Sequence, residues 1–260
     1  MDATIQLLPK LKSLRLSGIL STLDVRNQQA IREKCTYVEF LERLVEDEIE
    51  RRNQNQLALR LRRSNLDVTK TLESFNFAFN TTINRQQVYD VATCAFMERT
   101  EGIWILGQSG VGKSHLAQAI GHQAARRGYD VLLVRTGAML GHLQGGRADG
   151  SYDRRLLSYL RPDLLILDDF GLKPMRHPAS EDLYDVIDGR YQRASTIITS
   201  NRAFSEWPEL FDQPVLASAA LDRLAHGATQ IIITGDSYRA KGPRPEAPPS
   251  PAANRKIRRK

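Results

Sequence analysis

Two hydrophobic rhythms divide the chain. Over the first 65 residues apolar positions recur at helical spacing, Leu7, Leu8, Leu11 and Leu14, then Ile19, Leu20 and Leu23. A second helix is expected from Thr36, where "TYVE" has the form of a capping box with Glu39 reaching back. Its apolar stripe is Phe40, Leu41, Leu44, Val45 and Ile49. From about residue 70 the rhythm changes. Strand-like runs at 102–107, 129–136, 163–169, 195–201 and 230–234 alternate with helical stretches, notably 113–127 and 180–193. Such alternation predicts an α/β fold: a parallel sheet covered by helices on both faces, with ligands beyond the carboxyl ends of the strands. No internal repeat with a period of about 20–50 residues is visible.

Charge sharpens this division. The net charge of +7 is spread unevenly over the 260 residues. Residues 1–65 carry 12 Lys and Arg against 9 Asp and Glu, residues 66–240 carry 18 against 20, and residues 241–260 carry 7 against 1. These are read as a helical N-terminal domain (1–65), a nearly neutral α/β domain (66–240) and a basic, Pro-rich tail (241–260). The tail holds five of the eleven prolines and almost no apolar bulk, so it is expected to be disordered. Its last residues, Arg255 to Lys260, read either as a phosphate-attracting arm or as a solubilising end.

Composition removes some classes. No apolar run approaches the ~20 residues of a membrane span. The start, "MDATIQLLPKLK", lacks the features of a secretory signal. Cys35 and Cys94 cannot form a disulfide framework or a metal site alone, which fits a reducing cytoplasm.

The first strand of the α/β part runs into "GQSGVGKS", which matches G-x-x-x-x-G-K-[ST] at every fixed position. Gly107, Gln108, Ser109, Gly110, Val111 and Gly112 are expected to curl their backbone N–H groups around a polyphosphate. The helix opening at Lys113, Ser114 and His115 then presents its positive N-terminus. Lys113 would reach the β- and γ-phosphates and the Ser114 hydroxyl would ligate Mg²⁺.

"LLILDDF", residues 164–170, ends a buried strand in two carboxylates. Strand alternation points Asp168 and Asp169 different ways, and lone buried carboxylates are costly unless a cation or donors meet them. A nucleotide and its metal would satisfy both: Asp168 holding the metal or its water shell, Asp169 orienting or deprotonating an attacking water. Asn201, ending the next strand, would sit beside the γ-phosphate, or else cap a turn. Arg223 in "ALDRLAHG" reads either as an arginine offered to a neighbouring subunit's nucleotide or as a surface salt-bridge partner. Arg239 in "GDSYR" would act similarly within its own chain.

Two stretches bear on nucleic acid. "RRNQNQLALRLRR" sets Arg51, Arg52, Arg60, Arg62 and Arg63 against no acid, which suits duplex phosphates or a solvated face. "GAMLGHLQGGRADGSYDRRLLSYL" has a Gly-rich centre flanked by Arg147, Arg154 and Arg155, read as a flexible DNA-facing segment or a mobile surface loop.

Taken together, "ESFNF", "GQSGVGKSHLA", "LLILDDFG", "RYQRASTIITSNRAFSEW", "LDRLAHG" and "GDSYR" resemble the IstB-type helper ATPases of bacterial insertion sequences, AAA+ proteins close to the DnaC helicase loaders. The resemblance runs from about residue 4 to 241. It implies an AAA+ fold without the helical lid domain, hydrolysis of ATP with Mg²⁺ between the subunits of a homo-oligomer, assembly on duplex DNA, and regulation of a partner transposase. It gives Lys113, Ser114, Asp168, Asp169, Asn201 and Arg223 the phosphate-loop, metal, water-activating, sensor and arginine-finger roles. Asp169 departs from the Glu usual at its place, which implies slow hydrolysis. The alternative reading is a replicative helicase loader, told apart by its partner. A small-molecule kinase lacks any substrate-pocket signal here, and an inert packaging scaffold is disfavoured by the complete motifs.

Overall fold

The computed structural model describes residues 3–80 and 82–238. Three helices open the chain: α1 (Ala3–Ser13), α2 (Ser17–Glu33) and α3 (Tyr37–Arg63). Their core is small, Leu11, Ile19, Leu23 and Leu44, with Leu8, Leu16, Leu20 and Phe40 packed around it. α3 starts at the expected box: the Thr36 hydroxyl accepts from Glu39 N, and the Glu39 carboxylate accepts from Thr36 N at 2.7 Å. Gly18 lets α2 cross α3 closely, because a Cβ there would lie 2.6 Å from Glu48 Cα. The buried Glu48 carboxylate turns that approach into a cap, accepting from Gly18 N at 2.7 Å while pairing with Arg52.

The expected α3 stripe is only partly used. Leu44 is buried and Phe40 half-buried, but Leu41, Val45 and Ile49 are exposed. Within the bundle α3 packs mainly on α2, so among the described residues three of the five stripe positions find no helix to pack on. The final turns of α3 leave this bundle altogether, with Leu57 and Leu61 packed on the α/β core.

That core is built on a five-stranded, all-parallel sheet of order β2-β3-β4-β1-β5. After α4 (Arg85–Ala92) and α5 (Ala95–Glu98) come β1 (Gly102–Gly107), α6 (Lys113–Arg126) and β2 (Val131–Arg135). Next are α7 (Thr136–Asp149), α8 (Tyr152–Leu160), β3 (Leu164–Phe170) and α9 (Ala179–Arg190). β4 (Ser195–Ser200), a 3-10 helix (Phe204–Leu210), α10 (Pro214–Ala225) and β5 (Thr229–Ile233) complete it. Alternate strand residues feed two apolar layers. Ile103, Ile105, Ile166 and Ile197 face α6, whereas Trp104, Leu165, Leu167 and Ile198 face α7, α9 and α10. Among the described residues no helical domain follows β5.

Residues 137–161, expected as a flexible segment, are instead two packed helices, α7 and α8. The glycines serve proximity rather than mobility: a Cβ on Gly146 would lie 2.9 Å from Arg155 Cδ and 3.0 Å from Tyr152 Cα. Met139, Leu140 and Leu143, at helical spacing, are buried against the sheet.

One buried cation ties the amino ends of the strands together. Arg190, at the end of α9, is 3% exposed. Its guanidinium donates to the carbonyls of Tyr159 and Pro162, both at 2.9 Å, and of Ser195, and to Thr196 Oγ1 at 3.1 Å. Burial lowers its pKa to about 10, so the group stays charged at neutral pH, and carbonyl dipoles take the place of a carboxylate partner.

Candidate functional site: a phosphate loop facing a paired-carboxylate bulge

β1 ends at Gly107, and the loop that follows carries its glycines in conformations closed to other residues, with φ of +86° at Gly110 and +101° at Gly112. Gly112 is also the residue before α6, and a Cβ there would press on the Phe75 ring at 3.2 Å. The loop therefore delivers the first turn of α6, with its unpaired N–H groups, to the carboxyl edge of the sheet. Lys113 Nζ donates to Gln108 O at 2.7 Å, folding back over the loop.

Two other segments close around it. Residues 67–80 form a strap fastened to α6: Gln118 accepts from Asp67 N at 2.9 Å, and His122 Nε2 lies 2.9 Å from Asp67 O. His115 Nε2 sits 3.1 Å from Thr71 O, its ring edge-on to Phe75, and burial holds its pKa below the ordinary value. From the other side Tyr238 N donates to Gly110 O at 2.9 Å, while the Tyr238 ring meets Phe79 edge-on. Between loop, strap and strand ends lies a crevice of about 630 Å³, walled by the phosphate loop, Lys70, Phe75, Phe79, Asn80, Arg135, Asp168, Asp169 and Tyr238. That volume falls in the range of about 300–1,000 Å³ usual for small-molecule sites.

The two carboxylates do not obey strand alternation. The β3–β4 register pairs Leu167 with Ile198 and then Phe170 with Ser200, so Asp168 and Asp169 together face Thr199. This is a β-bulge, and within it Asp169 takes φ +57°. Both aspartates consequently line the same crevice, contrary to the opposite directions expected of neighbouring strand residues. Asp168 Oδ1 accepts from Ser114 Oγ at 2.7 Å and from the Thr199 hydroxyl. Asp169 is exposed, its backbone N donating to Thr199 Oγ1 at 3.1 Å. The adjacent Ser114 hydroxyl and Asp168 carboxylate are hard oxygen donors. Such a pair suits Mg²⁺, which commonly takes one or two protein oxygens and fills its octahedron with phosphate and water.

The remaining sequence candidates are distributed as follows. Asn201 is exposed beyond the end of β4 and is not part of the crevice wall. The bulge puts Thr199 against the carboxylates instead, and Ser200 folds the chain away by donating to Phe170 O and accepting from Arg202 N. Arg223 lies at the opposite end of the sheet, in a second cavity of about 390 Å³ beside Gly102 and Thr196. There it pairs with Asp188 at 2.8 Å, donates to Ala219 O and rests over the Tyr184 ring. Arg239 and the tail lie outside the described residues. Arg51, Arg62, Arg63 and Arg154 are exposed, whereas Arg52 pairs with Glu48 and Arg60 donates to Gln56 at 3.5 Å. Arg155 does not face outward as expected: it bonds Asp149, Ser151 and the His142 carbonyl, and Arg147 is likewise paired with Asp182.

Sequence reasoning missed Thr199, Arg135 and the wall made by the strap. For Arg135 a signal existed, since it ends a strand at the carboxyl edge. Thr199 gave none, because its role depends on the bulge.

A parallel sheet of this order, with a phosphate loop after β1 and paired carboxylates on the β3 bulge two strands away, has the fold of the AAA+ P-loop proteins. Solved structures share the architecture: a replication initiator DnaA bound to AMPPCP and single-stranded DNA (TM-score 0.56, 24% identity, 66% of this chain and 52% of that one). The DnaC helicase loader does so too, at TM-score 0.51 and 22% identity over 57% of this chain and 86% of that one.

The chain belongs to the family of IstB-like ATP-binding proteins, whose model matches residues 9–245. It is 41% identical to an insertion-sequence ATP-binding protein of Mycobacterium tuberculosis over 89% of this chain and 92% of the relative. It is 39% identical to the ATP-binding protein of insertion sequence IS21 of Pseudomonas aeruginosa, over 90% of this chain and 88% of that one. Among the described residues no helix is long and apolar enough to cross a membrane.

Proposed function

We propose that the protein hydrolyses ATP to switch a homo-oligomer assembled on duplex DNA, and that this switch serves a transposase in placing a mobile element. The observation that carries the reading is the convergence of the Lys113 loop, the Ser114–Asp168 pair and the exposed Asp169 on one crevice. Backbone N–H groups of the loop and the α6 N-terminus hold the phosphates, and Lys113 leaves Gln108 O to meet the terminal ones. Ser114 and Asp168 would hold Mg²⁺, which when bound would neutralise phosphate charge. Asp169 takes the proton of an attacking water, while Arg135 lies on the same wall as a further cation. The exposed arginines of α3 and Arg154 of α8 supply phosphate contacts along DNA.

Membership of the insertion-sequence family, with relatives named for such elements, favours this reading over delivery of a replicative helicase. The test is Lys113→Ala. Affinity for ATP by calorimetry should weaken at least about 100-fold, the scale of losing a charge-assisted phosphate contact of roughly 3 kcal/mol. ATP-dependent assembly on duplex DNA should disappear with it. Assembly persisting without nucleotide binding would remove the switch.

A further inference from the structure

We propose that Thr199 is a positioning residue for hydrolysis: its hydroxyl holds the β3 bulge, and with it Asp169, in the geometry that faces the phosphates. The claim rests on the hydrolysis reading above and adds a residue to it.

The bulge creates a problem that Thr199 solves. With two residues of β3 facing one of β4, the ladder hydrogen bond of one backbone N–H is lost. Asp169 N would be left without an acceptor at an inner strand, and Thr199 Oγ1 supplies one at 3.1 Å. The same hydroxyl directs its own hydrogen to Asp168 Oδ1, so a single oxygen joins the backbone of one carboxylate to the side chain of the other. Thr199 is itself 1% exposed, which fixes its rotamer. Asp169 sits at φ +57°, a region that costs a non-glycine residue free energy and persists only where its surroundings enforce it.

Thr136 Oγ1 also holds the bulge, donating to Asp168 O at 3.1 Å, but it does not reach Asp169 N. Ser200 Oγ donates to Phe170 O at 2.8 Å and Arg202 Nε to Gly171 O at 2.8 Å, which anchors the chain after the bulge. Upstream, Leu167 is in regular register with Ile198. Thr199 alone among these contacts touches both aspartates. Were Ser114 to release Asp168, the Thr199 bond would still orient the carboxylate.

Thr199→Val keeps the shape and removes the hydroxyl, and Thr199→Ser keeps the hydroxyl. In the full chain with duplex DNA, Val should lower kcat at least about tenfold, a fraction of the 10²–10⁴ a positioned base supplies. Its Kd for a non-hydrolysable ATP analogue should stay within about threefold of the parent, and Ser should lie within about threefold of the parent in both quantities. Should Val prove insoluble, Thr199→Ala removes the same hydroxyl and must show the same split. Unchanged kcat in Val, or a Ser variant as impaired as Val, overturns the proposal. A crystal structure of the Val variant gives a readout free of activity: Asp169 should leave the left-handed region, and φ near its present value would count against us. A parent chain that binds the analogue but releases no phosphate defeats the hydrolysis reading instead, and the Asp169 conformation then decides the role of Thr199.

Discussion

At the scale of single residues, Asp169 shows why side-chain length and backbone conformation must be read together. The AAA+ resemblance implies Glu at its place, yet here the residue adopts φ +57°, where Asp and Asn are several-fold enriched and longer side chains are not. The shorter carboxylate thus fits a backbone that a Glu would strain. Asp169→Asn retains that conformational preference and removes the base. It should bind ATP with an affinity within about threefold of the parent while phosphate release falls at least about 100-fold, as expected for loss of a general base. Calorimetry and a steady-state phosphate assay check both halves. Motif spacing made Lys113, Ser114 and Asp168 legible from sequence, because a phosphate loop acts through consecutive backbone atoms. The direction of Asp169 was not legible, since alternation assumes a regular ladder and nothing in "LLILDDF" signals an extra residue.

At the scale of elements, the N-terminal helices are held by charge placed against a small apolar core. Arg26 Nη2 and Nε bond Asp47 at 2.6 and 2.8 Å across α2 and α3, and the guanidinium holds the Asp47 carboxyl at about 2. A carboxyl depressed below its unfolded value of about 4 stabilises the fold fully above that value and loses the contribution as pH falls through its folded pKa. Glu48, which burial raises but Arg52 and two backbone N–H groups lower further, follows the same sign. The helical hairpin should therefore loosen between about pH 4 and pH 2. Arg26→Ala should cost about 1 kcal/mol at neutral pH, since the pair is partly solvated, and should flatten that acid dependence. Thermal unfolding followed by circular dichroism across this range is the measurement. The positions of these helices were readable from period and capping chemistry. Which face of α3 is buried was not, because Leu41, Val45 and Ile49 have the same chemistry as Leu44 and only the location of α2 separates them. Likewise α7 and α8 hid behind glycines that, read alone, indicate mobility, and that in the fold allow close helix contact.

At the scale of the whole molecule, the crevice and Arg223 lie at opposite ends of the sheet. The phosphate loop leaves the carboxyl end of β1, and Arg223 lies beside Gly102 at its amino end. Six residues of strand separate those ends, about 20 Å at ~3.3 Å per residue, well beyond the reach of an arginine side chain. Arg223 therefore has no access to the nucleotide of its own chain. Under the proposed oligomer, any contact it makes with a nucleotide would be in the crevice of another copy, joined head to tail through unlike surfaces. In the isolated chain Asp188 holds Nε and Ala219 O holds Nη1, which leaves Nη2 as the edge able to meet an incoming phosphate. Arg223→Ala alone should lower DNA-stimulated hydrolysis at least about 100-fold, a floor beneath the roughly 10³–10⁵ that an arginine supplied in trans contributes. Asp169→Asn alone should be equally inactive, for a different reason. Mixed in equal amounts, the two variants rebuild a complete site wherever an Arg223→Ala crevice meets an intact Arg223 from an Asp169→Asn neighbour. Random head-to-tail assembly makes that about a quarter of all interfaces, so about a quarter of the parent rate should return. No recovery on mixing, in subunits shown to co-assemble, would mean that each chain completes its own site and that Arg223 is no more than the surface partner of Asp188.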